Sequence, residues 1–212
     1  MPTTVWLVSH AANAALRSGI FPQAPEVPEV SVAGDDAEEA LDARAVEALA
    51  AWRERWHARL AGGNRNSEAP RALTSPAAIA RASARAAGFA GATTGDALAE
   101  TAFGAWQGRR LTDLAREAPG ALAAWTRDPG FRPPGGGESF DDVRARVGAW
   151  LDTVPDSGHN LIAFTHASVI RAAILHALGA PSSAFRSIEI APLSVTALRR
   201  TEHGWVWLAA MD

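Results

Sequence analysis

Two short apolar runs stand out along the chain, at residues 3–8 (TTVWLV) and 160–165 (NLIAFT). Both are rich in β-branched and aromatic side chains and carry no charge, which is typical of strands buried in a sheet. A third pattern has the period of an amphipathic helix and predicts a helix over about residues 37–61. Its apolar positions are Leu41, Val46, Leu49, Trp52, Trp56 and Leu60.

The rest of the chain continues this alternation of strands and helices. Further strands are predicted at 71–76, at about 187–199 and at 204–209. Further helices are predicted at 77–88, where Gly88 closes the helix, and at 108–117. Two more helices are predicted from the Ser139 cap to about 154 and from His166 to about 178. Loops rich in turn residues are predicted at 22–36, 62–70 and 129–138. The alternation predicts an α/β fold, a three-layer sandwich of a mainly parallel sheet with helices on both faces, in a single domain over residues 1–212.

Composition narrows the classes of function. The chain has 212 residues, 48% hydrophobic and 20% charged, with a net charge of −3, so it is predicted to be globular and offers no basic footprint for nucleic acid. The absence of cysteine excludes disulfides, thiolate chemistry and cysteine-based zinc sites. Neither a signal peptide nor a membrane-spanning run is recognisable, so we expect a cytoplasmic protein that does not contact a membrane.

Both apolar runs end in a small hydroxyl residue followed by a histidine, as VWLVSH at His10 and LIAFTH at His166. A lone histidine beside an apolar run is usually a buried side chain with a satisfied hydrogen bond. The matched pair is more informative, because ligands of parallel α/β sheets bind outside the carboxyl ends of the strands. The pattern therefore predicts that His10 and His166 face one crevice.

Six segments in chain order resemble motifs of one family. LVSHA stands where that family has L-V-R-H-G, and LDARAVEALAAW (41–52) is similar to its first helix. TSPAAIARASA (74–84) resembles S-P-L-x-R-A-x-x-T-A, and LAETAFGAWQG (98–108) resembles L-x-E-x-x-F-G-x-W-E-G. PGGGES (134–139) resembles P-G-G-E-S, and FTHASVIRAAI (164–174) resembles the second-histidine motif. On these residues the chain resembles the histidine phosphatase superfamily, which has the phosphoglycerate-mutase-like fold, over nearly its whole length.

The resemblance implies a mechanism and a set of site residues. His10 would be the nucleophile that accepts a phosphoryl group, Glu100 the general acid, and His166 a donor that stabilises the transferring group. The implied substrate is a small phosphomonoester, with no metal and no cofactor. Further candidates for contact with the substrate are Ser9, Asn13, Arg17, Ile79, Trp106 and Ala167.

The sequence departs from the family at the phosphate-binding positions. Ser9 and Ile79 stand where the family has arginines, and Ala11 stands at the glycine after the first histidine. Arginine offers planar bidentate donors to a phosphate, which serine cannot match and isoleucine lacks. Arg17, Arg109, Arg110 and Arg132 are the candidates for a relocated cation.

Three interpretations stay open. The first is a weak phosphatase, or one with an altered substrate, that uses a relocated cation. The second is an acid–base catalyst that acts on a less anionic small molecule with His10, Glu100 and His166. The third is a catalytically inactive relative that binds a ligand or a partner in the pocket that serves as the substrate site in the family. The retained His–Glu–His set favours the first two, and the joint loss of both arginines favours the last two.

Overall fold

The computed structural model describes residues 2–23, 40–61 and 69–209. Its centre is a six-stranded sheet with the order β3-β2-β4-β1-β5-β6. The first four of these positions are parallel, whereas β5 and β6 form an antiparallel hairpin at one edge. The strands are β1 (Thr4–Ser9), β2 (Arg71–Thr74), β3 (Thr93–Thr94), β4 (Leu161–Thr165), β5 (Val195–Thr201) and β6 (Gly204–Leu208).

Helices cover both faces of the sheet, which confirms the predicted architecture. The helices are α1 (Ala14–Arg17), α2 (Ala43–Ala61), α3 (Ala78–Ala86), α4 (Leu111–Glu117), α5 (Pro119–Trp125), α6 (Phe140–Thr153) and α7 (Ala167–Ala177). Val5 and Leu7 of β1 belong to a core that contains α6 and α7. Val8, on the opposite face of the strand, belongs to a core that contains α2 and α3. The central strand is therefore buried on both sides, because successive side chains of a strand point to opposite faces.

The structure agrees with most of the predicted elements and corrects others. Gly88 lies just beyond α3 with φ +97°, and Ser139 and Asp142 form the expected capping box at the start of α6. The strand expected at 187–199 begins only at Val195, because a turn closed by Ser194 N–H on the Ala191 carbonyl, with Leu193 at φ 60°, directly precedes it. The helix expected at 108–117 begins at Leu111, and α1 and α5 were not predicted. The predicted loops at 22–36 and 62–70 lie almost entirely outside the described residues.

Among the described residues, no helix combines the length and the apolar character that a bilayer-spanning segment needs.

Candidate active site

The two histidines follow neighbouring parallel strands and meet at their carboxyl ends. Ser9 and Thr165 are register partners in β1 and β4, so His10 and His166 leave the sheet side by side. The backbone N–H of His10 donates to the carbonyl of Thr165 at 2.9 Å, which fixes the exit of the chain. The two imidazole centroids lie 4.9 Å apart with the rings at 67°. The structure thus brings together the pair that the sequence pattern singled out.

His10 is held in one tautomer. Its Nδ1 lies 2.8 Å from the carbonyl oxygen of Ala11, and a carbonyl can only accept, so Nδ1 carries the proton. Nε2 is then left with its lone pair. Burial lowers the pKa of His10 and the nearby His166 lowers it further, against smaller opposing effects of the Ala11 carbonyl and Glu100. The imidazole is therefore neutral near pH 7 and its Nε2 is available as a nucleophile or a ligand.

His166 is one of the most deeply buried polar side chains, with 1% of its surface exposed. Its Nε2 lies 2.7 Å from the hydroxyl of Ser75. Its Nδ1 lies 3.1 Å from Oε2 of Glu100, but this contact lacks the alignment of a hydrogen bond, and Nδ1 has no other polar partner among the described residues. The contact between His166 and Glu100 is therefore electrostatic in character.

Glu100 has its second carboxylate oxygen fully engaged. Oε1 accepts from the Ser168 hydroxyl at 2.6 Å and from the backbone N–H of Thr101 at 2.9 Å. Burial raises the pKa of Glu100, but the charge and contact of His166, with the Ser168 and Thr101 donors, outweigh it and bring the pKa to about 2. Glu100 is thus ionised in the free site near neutral pH.

The segment that follows Glu100 is held by contact between two glycine-containing loops. Residues 101–106 contact residues 133–138 through the backbone: Ala105 N–H donates to the Pro134 carbonyl at 2.7 Å, and Glu138 N–H donates to the Ala102 carbonyl at 2.7 Å. A Cβ placed on Gly104, which has φ +53°, would lie 2.3 Å from the Pro134 oxygen. The two glycine-containing motifs therefore meet in space, and glycine at position 104 is what allows the close approach.

Arg146 of α6 ties the same segment to the helix layer and was missed by the sequence analysis. Its guanidinium donates to the carbonyls of Ala97 and Ala99, each at 2.8 Å, and to the carboxylate of Glu138 at 2.9 and 3.2 Å. Glu138 in turn accepts from the backbone N–H of Ala102 at 2.9 Å. Glu100 is therefore positioned by a network that originates in a different motif.

A cavity of about 570 Å³ opens beside the three polar groups. His10, Glu100 and His166 lie at its polar part, with Asn13 and Gln23. The remaining lining from the described residues is almost wholly apolar: Ala15, Leu16, Ile20, Phe21, Pro22, Ala40, Ala77, Ala78, Ile79 and Gly108. No arginine or lysine belongs to this lining within residues 2–23, 40–61 and 69–209.

The other candidate site residues lie as follows. Asn13 lines the cavity, and its side chain also caps α1 by accepting from Leu16 N–H at 3.0 Å. Ser9 is buried at the end of β1, and Trp106 is buried in an aromatic cluster with Phe21 and Phe103; neither is among the cavity-lining residues. Ala167 lies at the start of α7 and lines a second cavity, whose lining also includes Glu100.

The arginines proposed as relocated cations are engaged elsewhere or exposed. Arg17 pairs with Asp42 and donates to the carbonyl of Ala12 at 2.7 Å. Arg109 pairs with Glu117, Arg132 pairs with Asp142, and Arg110 is exposed. None of the four lines the cavity beside His10.

Arg171, also missed by the sequence analysis, is an arginine whose charge acts on Glu100. It lies three residues after Ser168 on α7, and both line the second cavity, of about 400 Å³, which shares Glu100 with the first. Its Nε donates to the carbonyl of Ile188 at 2.7 Å. Burial lowers the pKa of Arg171, and the Glu100 carboxylate partly offsets this. The spacing of Ser168 and Arg171 after His166 was the available signal, since residues three apart share a helix face.

Comparison with protein families identifies the fold family. The model of the histidine phosphatase superfamily (branch 1) matches residues 40–212, a range that begins after His10 and includes Glu100 and His166. The chain belongs to this superfamily. Two curated relatives are the bifunctional protein Rv2228c of Mycobacterium tuberculosis and the protein Mb2253c of Mycobacterium bovis. Each is 36% identical over 104 residues, which is 47% of this chain and 28% of the relative, so the match spans little more than a quarter of their length.

Several solved structures have the same fold. The α-ribazole phosphatase of Shigella flexneri superposes with a TM-score of 0.74 at 20% identity, over 97% of this chain and 94% of that one. The mycobacterial glucosyl-3-phosphoglycerate phosphatase gives 0.66 at 22% identity, over 96% of both chains. TTHB049 of Thermus thermophilus gives 0.62 at 27% identity, over 98% of this chain and 99% of that one.

Proposed function

We propose that the protein is a hydrolase of small phosphomonoesters that works through a phosphohistidine at His10. The observation that carries this proposal is the tautomer of His10. Its Nδ1 proton is bound by the Ala11 carbonyl, so Nε2 has a free lone pair beside His166 and the cavity. Its membership of a superfamily with phosphatase relatives supports the same chemistry.

The reaction would take place in two balanced steps. Nε2 of His10 attacks phosphorus, the bond from phosphorus to the ester oxygen breaks, and the leaving oxygen takes a proton from Glu100. Water then attacks phosphorus, gives its proton back to the Glu100 carboxylate, and releases phosphate from Nε2. An N–H of His166 would stabilise charge on the phosphoryl oxygens.

Glu100 must gain a proton before the first step. The carboxylate is ionised in the free site, where His166 lowers its pKa. A phosphate group bound next to it would raise that pKa, because a neighbouring like charge disfavours the ionised form. The bound phosphate group would therefore favour the protonated form of Glu100, which acts as the general acid.

The electrostatic environment predicts slow turnover. Phosphoryl transfer depends on donors aimed at the equatorial oxygens, and the loss of one preorganised donor costs about 2.7–4 kcal/mol, or roughly 10²–10³ in rate. Neither Ser9 nor Ile79 can replace an arginine, and the described lining of the cavity has no cationic side chain apart from the histidines.

The apolar lining favours a second candidate, an acid–base catalyst or binding module for a less anionic small molecule. Ile79, Ala77 and Ala78 form the wall at the family's arginine position, and they would suit a neutral or apolar group better than a phosphate. This candidate uses the same three polar residues without a phosphohistidine.

Hydrolysis of a chromogenic phosphomonoester from about pH 4 to 8, in the presence of a chelator, tests the first candidate. We expect slow turnover that His10→Ala abolishes and that the control His176→Ala, outside the cavity, leaves unchanged. Acid-labile, base-stable phosphate on the protein after a rapid quench would identify the phosphohistidine. If the wild type is inactive and a Ser9→Arg/Ile79→Arg variant hydrolyses the ester, the phosphatase proposal is wrong and the second candidate stands.

A further inference from the structure

The second cavity, of about 400 Å³, contains aromatic side chains and arginines that the proposed reaction does not use. Glu100 belongs to its lining and also to the lining of the first cavity, beside His10. Ser168 and Thr101, which donate to Oε1 of Glu100, line the second cavity as well. A group bound there would therefore lie next to the carboxyl group that acts as general acid in the proposed reaction.

The lining of the second cavity suits a planar aromatic group. Phe140 and Phe185 stack with their centroids 4.9 Å apart and their planes at 24°, and Phe103 meets Trp125 edge to face at 6.2 Å. These four rings and that of Phe131 belong to the described lining, and all except Phe103 are half-buried. Aromatic rings pack favourably on one another at such separations. An apolar cavity of about 150 Å³ is enough to bind benzene, so this volume admits a ring with substituents.

Arg171 and Arg186 reach this cavity from adjoining segments. Arg171 donates through Nε to the carbonyl of Ile188, the residue that directly follows the 3₁₀ turn Ser182–Ser187, which carries Arg186. The terminal nitrogens of Arg171 donate to no described residue. Arg186 is exposed and makes no hydrogen bond or ion pair within the described part of the chain. Both guanidinium groups therefore have unused donors, and the planar fork of arginine matches the two oxygens of a carboxylate.

Two carboxylates in the same lining limit where an acidic group would bind. Glu100 is ionised in the free site, and Asp128 has its Oδ1 hydrogen-bonded to the backbone N–H of Gly130 at 2.8 Å. An acidic group would be repelled by both of them and attracted by Arg171 and Arg186. A singly charged carboxylate suits two arginines beside two carboxylates better than a doubly charged phosphate does.

We propose that the second cavity binds the leaving group of the substrate, and that this leaving group is an aromatic ring that carries a carboxylate. The proposal rests on the proposed phosphatase function and names the part of the ester that this function leaves open. The phosphoryl group lies in the first cavity beside His10, and the ester oxygen lies at Glu100. The ring packs against the aromatic side chains of the second cavity, and its carboxylate accepts from Arg171 and Arg186.

Two esters that differ only in the carboxylate test the proposal, phenyl phosphate and para-carboxyphenyl phosphate. We expect the wild type to hydrolyse the carboxylated ester with a kcat/KM at least about tenfold higher. Arg171→Gln should reduce this ratio about tenfold, and Arg186→Gln, whose side chain is exposed, about threefold. The ratio within one variant cancels any effect of Arg171 on Glu100, because both esters use the same general acid. The control Arg116→Gln, 73% exposed and outside the lining, should leave the ratio unchanged.

Direct binding of the released alcohols tests the cavity without turnover. Calorimetric titrations use para-hydroxybenzoate, phenol, and the saturated-ring analogue of para-hydroxybenzoate. We expect para-hydroxybenzoate to bind most tightly of the three. Arg171→Gln should remove its advantage over phenol, and Phe185→Leu should reduce its advantage over the saturated analogue about two- to tenfold. Both residues line the second cavity and neither belongs to the described lining of the first, so these variants also locate the bound acid.

The outcomes distinguish the proposal from the function on which it rests. Equal kcat/KM for the two esters in the wild type, or a ratio that the double variant Arg171→Gln/Arg186→Gln leaves unchanged, would overturn the proposal and leave the phosphatase function standing. Hydrolysis of neither ester, with para-hydroxybenzoate bound as expected, would refute only the phosphatase function. Hydrolysis of neither ester and no preference for para-hydroxybenzoate would refute both.

Discussion

Replacing Arg146 by alanine removes the cation that fastens the Glu100 segment to α6. The guanidinium donates to two backbone carbonyls of residues 97–99 and to both oxygens of Glu138. The side chains of Arg146 and Glu138 are 22% and 25% exposed. The pair is thus neither a surface ion pair nor a fully buried one.

The expected cost lies between those two limits. Exposed ion pairs contribute about 0–1 kcal/mol, whereas breaking a buried pair costs about 3–5 kcal/mol. Arg146→Ala also leaves the Ala97 and Ala99 carbonyls without their donor, at about 1–3 kcal/mol each if water cannot replace it. Partial exposure allows some replacement, so we expect a loss of about 3 kcal/mol in the free energy of unfolding. At about 2–4 °C per kcal/mol for a chain of this size, the unfolding midpoint should fall by roughly 6–12 °C.

Urea unfolding and a thermal scan of the same variants measure this loss. Arg146→Lys should recover only a small part of it, because one ammonium cannot span the carboxylate and both carbonyls. Arg116→Ala is the matched control, since that side chain is 73% exposed and pairs only with surface carboxylates, and it should leave the midpoint unchanged. A loss below about 1 kcal/mol for Arg146→Ala would refute the reasoning, since the network would then contribute no more than a surface pair.

Three further changes have defined outcomes. Gly104→Ala places a Cβ 2.3 Å from the Pro134 oxygen at a positive φ, so it should lower the unfolding midpoint in a thermal scan and displace Glu100. Ser139→Ala removes the cap of α6 and should cost about 1 kcal/mol in urea unfolding. The Ser139 hydroxyl and backbone N–H hold the pKa of Asp142 below its ordinary value. The stability that these hydrogen bonds confer is therefore complete above the unfolded-state pKa of Asp142 and is lost as the pH falls through its folded-state pKa. We expect this acid-induced loss of stability to be smaller in Ser139→Ala. Ile79→Arg adds a donor to the cavity and should tighten inorganic phosphate about 10- to 100-fold in a calorimetric titration.

The sequence predicted best those features of the fold and the site that depend on residues adjacent along the chain. The apolar runs that end at His10 and His166 predicted two buried parallel strands. Because parallel strands bring their carboxyl ends to one edge of the sheet, the pattern also predicted that the two histidines lie close together. Gly88 and Ser139 predicted helix ends because their effects are local. Helix α5 was missed although Pro119 stands at its first turn, where proline is favoured.

What the sequence could not predict was which charged side chains reach the site. Arg146 and Arg171 look like ordinary helix-surface residues, and only the packing of α6 and α7 turns them toward Glu100 and its segment. Arg17 was the opposite case. It follows the first histidine closely, but its guanidinium turns to Asp42, which also caps α2 by accepting from Ala45 N–H at 3.0 Å. The contacts of Arg146 with residues 97–99 and of Arg17 with Asp42 join different segments of the chain, and no local pattern predicted them.

The possible activities of this site differ in which group supplies the positive charge that an anionic ligand needs. The described cavity lining has no arginine or lysine, and residues 24–39, outside the described residues, contain six acidic residues and no Arg, Lys or His. Arg171 lies across Glu100 in the second cavity, where its charge acts on that carboxylate first. An anionic ligand in the first cavity would therefore rely on a hydrogen bond from His166, or on a movement of Glu100 that opens the second cavity, where Arg171 and Arg186 lie. Arg171→Gln and Arg186→Gln separate these routes, because only the second route loses phosphate binding when those guanidinium groups are removed.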